Sequence, residues 1–478
     1  MKIKKVLLCN LPLEGELHFF STPPYFLKEA VSYPPLGLLY LAAQVKDTEV
    51  KILDTSCEKL TIEQTVQRIM QEKPDILGFT AYTMRVYSLK TICEKINKEF
   101  KDSIRIVIGG NHTLLYPIET LNYRGVNYVL KGECDYTFPQ LLKAIRNGEQ
   151  EKDLAYINGL CYFNKSGQIQ CNRFTKSTFN LDALPFPRRN LLNLKLYSTL
   201  AQDATFMTTM ISSRGCPFKC IFCDVPNEVV RFRSPENVVN EIKEVVNMGI
   251  SEISFFDDCF NLDRTRVIEI CRLIIKNKLN IKWSGRLRVY PFDEEMAELI
   301  ITSGCNRLHF GVESTSDNIL KYTRKGINFR QSKNTLDICR KYKIKTLAYL
   351  IFGFPQESLK DLKQSEKIIL NELKPDLIFP NILFPLAGSP FYYELLKGKK
   401  LKDDFWARFV KNPTPNFEIP SFRIPKEDKM LIKFINNLNR KFYLSPQFIY
   451  NNLSKVIRRK NLLRSIKICV QMIFGAYQ

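Results

Sequence analysis

The residue types most able to do chemistry are gathered in one short stretch, Ser213-Arg-Gly-Cys216-Pro-Phe-Lys-Cys220-Ile-Phe-Cys223, a C-x3-C-x2-C array. With 14 cysteines in 478 residues, chance would place three at this spacing about 0.01 times per chain, so the array is signal. Three thiols in a single loop make a soft donor set, suited to iron or zinc and not to magnesium or calcium. Structural zinc wants a fourth cysteine or histidine, and none of the three histidines is near this loop. A cubic iron–sulfur cluster ordinarily takes four cysteines. Three would leave one iron open to another molecule.

Such a loop has to be held by a rigid frame, and the flanking patterns supply one. Strand signals near Phe206–Ser212, Glu252–Phe256, Ile281–Leu287, Arg307–Val312, Lys345–Phe352 and Asp376–Leu383 alternate with helical ones such as Pro235–Met248 and Thr265–Lys276. Six strand–helix units in about 190 residues suit a partial (β/α)6 barrel, because an eight-unit barrel takes ~250. The cysteine loop follows the first of these strands. Further polar segments fall where other strands should end: Phe255-Phe-Asp257-Asp258, Gly311-Val-Glu313-Ser314 and Ile351-Phe-Gly353-Phe-Pro-Gln-Glu357. Arg286, at the end of the third, is a candidate partner for a carboxylate or phosphate. An earlier series, with strands at Val6–Leu11, Val50–Leu53, Asp75–Thr80, Ile104–Ile108 and Tyr128–Glu133, points to a Rossmann-like parallel sheet covered by helices on both faces. Ligands of such sheets lie beyond the carboxyl ends of the strands. The reading is therefore an α/β chain with an N-terminal domain over 1–148, a connector over 149–204, the barrel over 205–400 and a helical basic region over 401–478.

On these residues the chain resembles the radical S-adenosylmethionine (SAM) superfamily, whose signature loop has the same spacing. The resemblance implies that Cys216, Cys220 and Cys223 hold a [4Fe-4S] cluster. Its open iron would take the amino and carboxylate groups of SAM, with Phe222 packed on the adenine. It also implies that Asp257 and Asp258 contact the methionine amino group, that Gly311, Glu313 and Ser314 serve ribose and carboxylate, and that Gly353 lies beside adenine. The first domain resembles the cobalamin-binding domain of the B12-dependent class, in Tyr33-Pro-Pro-Leu-Gly37, Gly78-Phe-Thr80-Ala-Tyr-Thr83, Gly109-Gly110-Asn-His112 and Gly132-Glu133. That implies cobalamin contacts from Thr80, Thr83, Gly109, Gly110, Gly132 and Glu133, the glycines letting backbone approach a large ligand. The Asp-x-His-x-x-Gly motif that supplies an axial histidine in many cobalamin proteins is absent. His112 sits in a different loop, where a backbone-bonded histidine is expected. Arg440–Tyr450 also resembles the family's tail.

The resemblance implies an enzyme that cleaves SAM reductively to methionine and a 5′-deoxyadenosyl radical. A methyl group would then pass from cobalamin to an unactivated carbon of a secondary-metabolite, lipid or peptide substrate. Two alternatives stay open. One is cobalamin-dependent ring closure or oxidative rearrangement without methyl transfer; the other, of a different class, is a non-catalytic iron–sulfur protein that binds nucleic acid. For the enzyme, the expected partners are a small-molecule or lipid substrate and a low-potential electron donor such as flavodoxin or ferredoxin, with no nucleic acid.

Composition bounds these readings. A hydrophobic fraction of 45% with 25% charged residues excludes a disordered chain, a collagen and a small disulfide scaffold. No apolar run approaches the ~18 residues of a membrane span, and the short apolar start does not read as a signal peptide. The expected location is cytoplasmic, a reducing compartment where most of the cysteines outside the loop should be small buried hydrophobes. Net charge is +22, and residues 421–478 carry 12 basic side chains against two acidic ones. Lys429, Lys433, Arg440 and Lys441, then Lys455, Arg458, Arg459, Lys460, Arg464 and Lys467, alternate with apolar residues at roughly helical spacing. Such a tail suits either packing on the barrel or peripheral contact with the inner face of the membrane.

Overall fold

Alternate residues of the first strand decide the architecture of the N-terminal unit. In β1 (Lys5–Asn10), Leu7 and Cys9 enter one apolar core while Val6 and Leu8 enter another. A strand buried on both faces belongs to a sheet with helices on both sides. Parallel to it run β2 (Glu49–Asp54), β3 (Ile76–Thr80), β4 (Arg105–Gly109) and β5 (Val126–Leu130), in the order β2-β1-β3-β4-β5. The covering helices include α1 (Leu36–Gln44), α2 (Ile62–Glu72), α3 (Val86–Phe100) and α4 (Thr137–Arg146). Thr61 caps helix α2, in a reciprocal capping box with Gln64. Strand order reverses between β1 and β3, which opens the crevice where this topology takes ligands.

A hairpin of the connector extends this sheet as antiparallel β6 (Leu160–Phe163) and β7 (Ile169–Cys171). Its register sets Cys161 directly opposite Cys171, and the two form a disulfide. This pair falls outside the expectation of small buried hydrophobes in a reducing compartment.

The computed structural model describes residues 2–17, 31–199, 206–224, 229–446 and 448–450. Its second unit is an open barrel of six strands, all parallel and adjacent in chain order, as the sequence led us to expect. They are β8 (Met207–Met210), β9 (Glu252–Phe255), β10 (Lys282–Leu287), β11 (Cys305–Glu313), β12 (Lys345–Phe352) and β13 (Leu377–Ile382). Helices α5 (Pro235–Asn247), α6 (Arg264–Lys276), α7 (Glu294–Thr302), α8 (Phe329–Lys341) and α9 (Leu359–Ile368) alternate with the strands. Along β12 and β13 every second residue is fully buried and the intervening ones are only half-buried. A closed eight-stranded barrel fills its interior with side chains. Here the inner face stays partly accessible, so the unit has a lumen.

The basic C-terminal passage divides. Residues 402–420 cluster with the N-terminal unit, and the described residues from 421 to 446 with the barrel. In the first part, α10 (Phe405–Lys411) buries Phe405, Trp406, Phe409 and Val410, and the Tyr123 hydroxyl donates to the Val410 carbonyl at 2.5 Å. In the second, α11 (Pro425–Tyr443) covers the edge strand β13, the Tyr443 hydroxyl donating to the Ile378 carbonyl at 2.7 Å. Leu431, Ile435, Leu438 and Phe442 of α11 are buried, while Lys441 pairs with Glu366 on the surface. This half of the basic stretch therefore packs on the barrel with solvated charges. The other half, Lys455 to Lys467, lies outside the described residues. Among the described residues no helix is long and apolar enough to cross a membrane.

Candidate functional site

Strand β8 ends at Met210 and delivers the cysteine loop to the carboxyl end of the barrel. The loop is braced at several points. Asp257, buried just past β9, accepts from the Ser212 N–H (2.8 Å), the Ser212 hydroxyl (2.5 Å) and the Ser213 hydroxyl (2.6 Å). Asp258, exposed, accepts from the Gly215 N–H at 3.0 Å. Further along, the Ile221 N–H donates to the Thr323 carbonyl and the Ile221 carbonyl accepts from the Phe391 N–H. The Arg288 guanidinium stacks on Phe218 at 3.4 Å. Cys220 is buried, Cys216 and Cys223 are half-buried, and none of the three is in a disulfide. Burial raises the Cys216 pKa, so its thiolate is favoured only when a metal takes the proton's place. Among the described residues no three Cys, His, Asp or Glu side chains converge as ligands of one metal ion would. A cube asks for something else, one thiolate on each of three irons, and three cysteines outside any disulfide in one braced loop fit that demand.

Next to this loop, a bulge re-aims the end of β11. Pairing with β12 skips from Gly311 to Glu313, and Glu313 takes a left-handed φ of 61°. Bulges commonly serve to redirect a side chain at a site. Here the Glu313 carboxylate meets the Lys325 ammonium at 2.7 Å, with the two side chains 8% and 9% exposed. The pair lies over Gly311, where a Cβ would come within 2.5 Å of Glu313 Oε1. Lys325 also sits over the Phe222 ring at 5.8 Å, and the Arg288 guanidinium donates to the Lys325 carbonyl. Ser314 is buried and its hydroxyl accepts from the Ser316 N–H at 3.1 Å. At the end of β12, Gly353 turns with φ 84°. Its N–H donates to Glu357 Oε2 at 2.5 Å and its carbonyl accepts from Arg423 at 3.0 Å. Arg423 donates equally to the Leu383 carbonyl beyond β13, so one guanidinium ties two strand ends together.

In the N-terminal unit the loops after β3, β4 and β5 carry an exposed apolar rim: Tyr82, Leu114, Leu115, Ile118 and Tyr136. Uncovered apolar clusters of this kind mark ligand or partner surfaces, and a macrocycle above the strand ends fits this one. Thr80 lies opposite Gly109 in the ladder, and Glu133 is half-buried on the loop after β5. The glycines have a different reason than the one expected. At Gly110 a Cβ would strike the Ala81 backbone at 2.6 Å, and at Gly132 the Phe174 ring at 2.6 Å. Both make room for the protein's own atoms. His112 is buried, and its Nδ1 lies 3.1 Å from the Thr83 hydroxyl rather than on backbone. Burial lowers its pKa to about 3, so it is neutral.

The family model of the radical SAM superfamily matches residues 210–369, and that of the B12 binding domain matches residues 26–142. An uncharacterized methyltransferase of Pyrococcus horikoshii is 30% identical over 461 residues, 95% of this chain and 95% of its own. The chain belongs to the cobalamin-binding radical SAM family. An anaerobic magnesium-protoporphyrin IX monomethyl ester cyclase of Rubrivivax gelatinosus is 26% identical over 92% of this chain and 79% of its own. Among solved structures, the cobalamin-dependent radical SAM enzyme OxsB with aqua-cobalamin and SAM bound superposes with a TM-score of 0.71. Its identity is 17%, covering 98% of this chain and 72% of that one. The cofactors of this radical SAM enzyme are accordingly a [4Fe-4S] cluster, SAM and cobalamin.

Within the radical SAM barrel, the sequence-based site separates into two kinds of residue. Cys216, Cys220, Cys223, Phe222 and Asp258 share the mouth of the barrel, as do Gly311, Glu313, Ser314 and Gly353 at the neighbouring strand ends. Asp257 departs from its expected contact with SAM. It is 1% exposed and its oxygens are taken by three donors, which makes it a brace of the cysteine loop. Lys325 and Arg423 were missed as parts of the site. A lysine twelve residues beyond Glu313 carries no spacing signal, since only the bulge and the following turn bring it back.

Proposed function

We propose that this enzyme methylates an unactivated carbon of a small organic substrate. The observation that carries the proposal is the match to the Pyrococcus methyltransferase over 95% of both chains. Cys216, Cys220 and Cys223 would hold the cluster. Phe222, Asp258, Gly311, Glu313, Ser314 and Gly353 would hold SAM, with the Lys325–Glu313 pair fixing Glu313 beside it. Thr80, Thr83, Gly109, Gly110, Gly132 and Glu133 belong to the loops that would receive cobalamin. When bound, these groups supply radical generation and a transferable methyl group. The chain's own residues do the rest: Asp257 and Asp258 hold the cysteine loop in register, and the lumen orients the substrate away from bulk water. A flavodoxin or ferredoxin would supply electrons.

The test is anaerobic turnover of the reconstituted holoenzyme with methyl-deuterated SAM, reductant and a small-molecule extract of the producing cells. A product carrying the labelled methyl group, with 5′-deoxyadenosine formed, is expected. An unlabelled, dehydrogenated or cyclised product would favour ring closure instead, the reading to which the Rubrivivax cyclase lends weight. Replacing Cys216, Cys220 and Cys223 together by Ala should abolish the charge-transfer absorption of thiolate-bound iron. Wild-type iron and sulfide contents in that variant would overturn the ligand assignment.

A further inference from the structure

Inside the barrel, one arrangement on the inward faces of β10, β11 and β12 is not explained by the cofactors. Arg286, near the end of β10, lies over the Phe256 ring with its guanidinium carbon 3.8 Å from the centroid. Stacking of this kind leaves the in-plane N–H groups free to donate. Among the described residues no carboxylate is within the 4.0 Å of an ion pair. Asp258, whose charge does reach Arg286, is hydrogen-bonded to Gly215 instead.

Beside Arg286 in the ladder stands His309, and its hydrogen bonds can be oriented by elimination. The Arg307 Nε–H donates to His309 Nε2 at 2.9 Å. An arginine nitrogen cannot accept, so Nε2 is the acceptor and the ring proton resides on Nδ1. That Nδ1 lies 3.2 Å from the Tyr349 oxygen and therefore donates to it. The hydrogen of Tyr349 must then point elsewhere, and Tyr349 is one of the half-buried residues of β12 that face the lumen. Burial and the nearby Arg307 and Arg286 hold His309 well below its usual pKa, consistent with this neutral tautomer. The wall of the lumen thus offers a cation and a hydroxyl donor, with aromatic surface from Phe256 and from Phe379, which meets Tyr349 edge-on at 5.8 Å.

We infer that the lumen recognises an anionic group of its substrate, a carboxylate or a phosphate, held between the Arg286 guanidinium and the Tyr349 hydroxyl. The inference rests on the reading of the lumen as substrate site, and it narrows the substrate to a molecule with an apolar or aromatic body and one such anion. SAM carries a carboxylate too, so the test has to separate the two sources.

Calorimetric titration of the full chain with reconstituted cluster decides it, using phenyl phosphate and benzoate against neutral benzamide, each with SAM present. The wild type should bind the anions and not benzamide. Arg286→Met should weaken anion binding at least about tenfold and Tyr349→Phe about threefold to tenfold, while Arg286→Lys recovers part of the loss. SAM affinity should stay within about twofold in all three. Trp283 fluorescence checks that the barrel is folded, and Tyr349→Phe keeps the test open should Arg286→Met fail to fold. Equal binding of benzamide and the anions, or anion binding unchanged in both variants, overturns the inference. So does a loss in Arg286→Met confined to SAM and absent for decarboxylated SAM, which would assign the anion to SAM itself. None of these outcomes depends on whether a labelled methyl group is transferred, so failure here leaves the reaction class standing.

Discussion

Lys325→Met removes one half of an ion pair that is more than nine-tenths buried on both sides. The Glu313 carboxylate would remain, held over Gly311 by a left-handed backbone with no cation to answer it. Breaking a buried pair on one side costs about 3–5 kcal/mol. Removing both charges in Glu313→Met/Lys325→Met should recover most of that loss, because an uncharged pair of unbranched chains fills the same slot with no unanswered charge. The molecule offers a clean readout. It has two tryptophans, and Trp283 lies in the barrel while Trp406 packs in the N-terminal unit. In a Trp406→Phe background, urea unfolding followed by tryptophan fluorescence therefore reports the barrel alone. With a urea slope of about 1–3 kcal/mol per molar, that cost corresponds to a fall in the Lys325→Met midpoint of roughly 1–5 M. A fall below about 0.5 M, or a double variant no more stable than Lys325→Met, would refute the reasoning.

Glu357 gives a pH prediction. Burial raises its carboxyl to about 7, above the 4.5 of an unperturbed group. Between those values the folded barrel holds a proton that the unfolded chain releases, so stability falls as pH rises from about 4.5 to about 7 and then levels. Glu357→Gln should remove that slope from the difference in Trp283 midpoints, and an unchanged slope would sink the assignment. Gly132→Ala combines a φ of 74° with a collision against Phe174. It should destabilise the N-terminal unit by about 1–3 kcal/mol, seen in the Trp406 transition of a Trp283→Phe protein. The barrel transition should not move.

The parallel sheets were legible because burial on both faces writes continuous apolar runs of strand length, and because caps such as Thr61 mark where helices begin. The cysteine loop was legible because its three cysteines are local, within eight residues. What escaped depends on contacts between distant positions. Asp257 and Asp258 are neighbours with opposite fates, one buried beneath Ser212 and Ser213 and the other exposed. Nothing in their order along the chain says which. The Lys325–Glu313 pair needs a bulge, the Cys161–Cys171 disulfide needs the hairpin register, and the glycines at 110 and 132 answer to Ala81 and Phe174, whose approach is tertiary. His112 bonds a threonine side chain from another loop for the same reason.

The return of residues 402–420 to the N-terminal unit has a consequence for how the protein comes into being. That unit's main stretch, residues 32–196, ends at residue 196, and about 200 further residues must be made before α10 emerges. At about 5–20 residues per second, synthesis of that interval lasts about 10–40 s. Throughout it, the apolar surface awaiting Phe405, Trp406 and Phe409 is bare and the Tyr123 hydroxyl lacks the Val410 carbonyl. The part of the molecule that starts first on the ribosome is thus completed by one of its later segments. A nascent chain stalled in the barrel, or a recombinant fragment cut at residue 196, would present that open surface to chaperones and to its own copies.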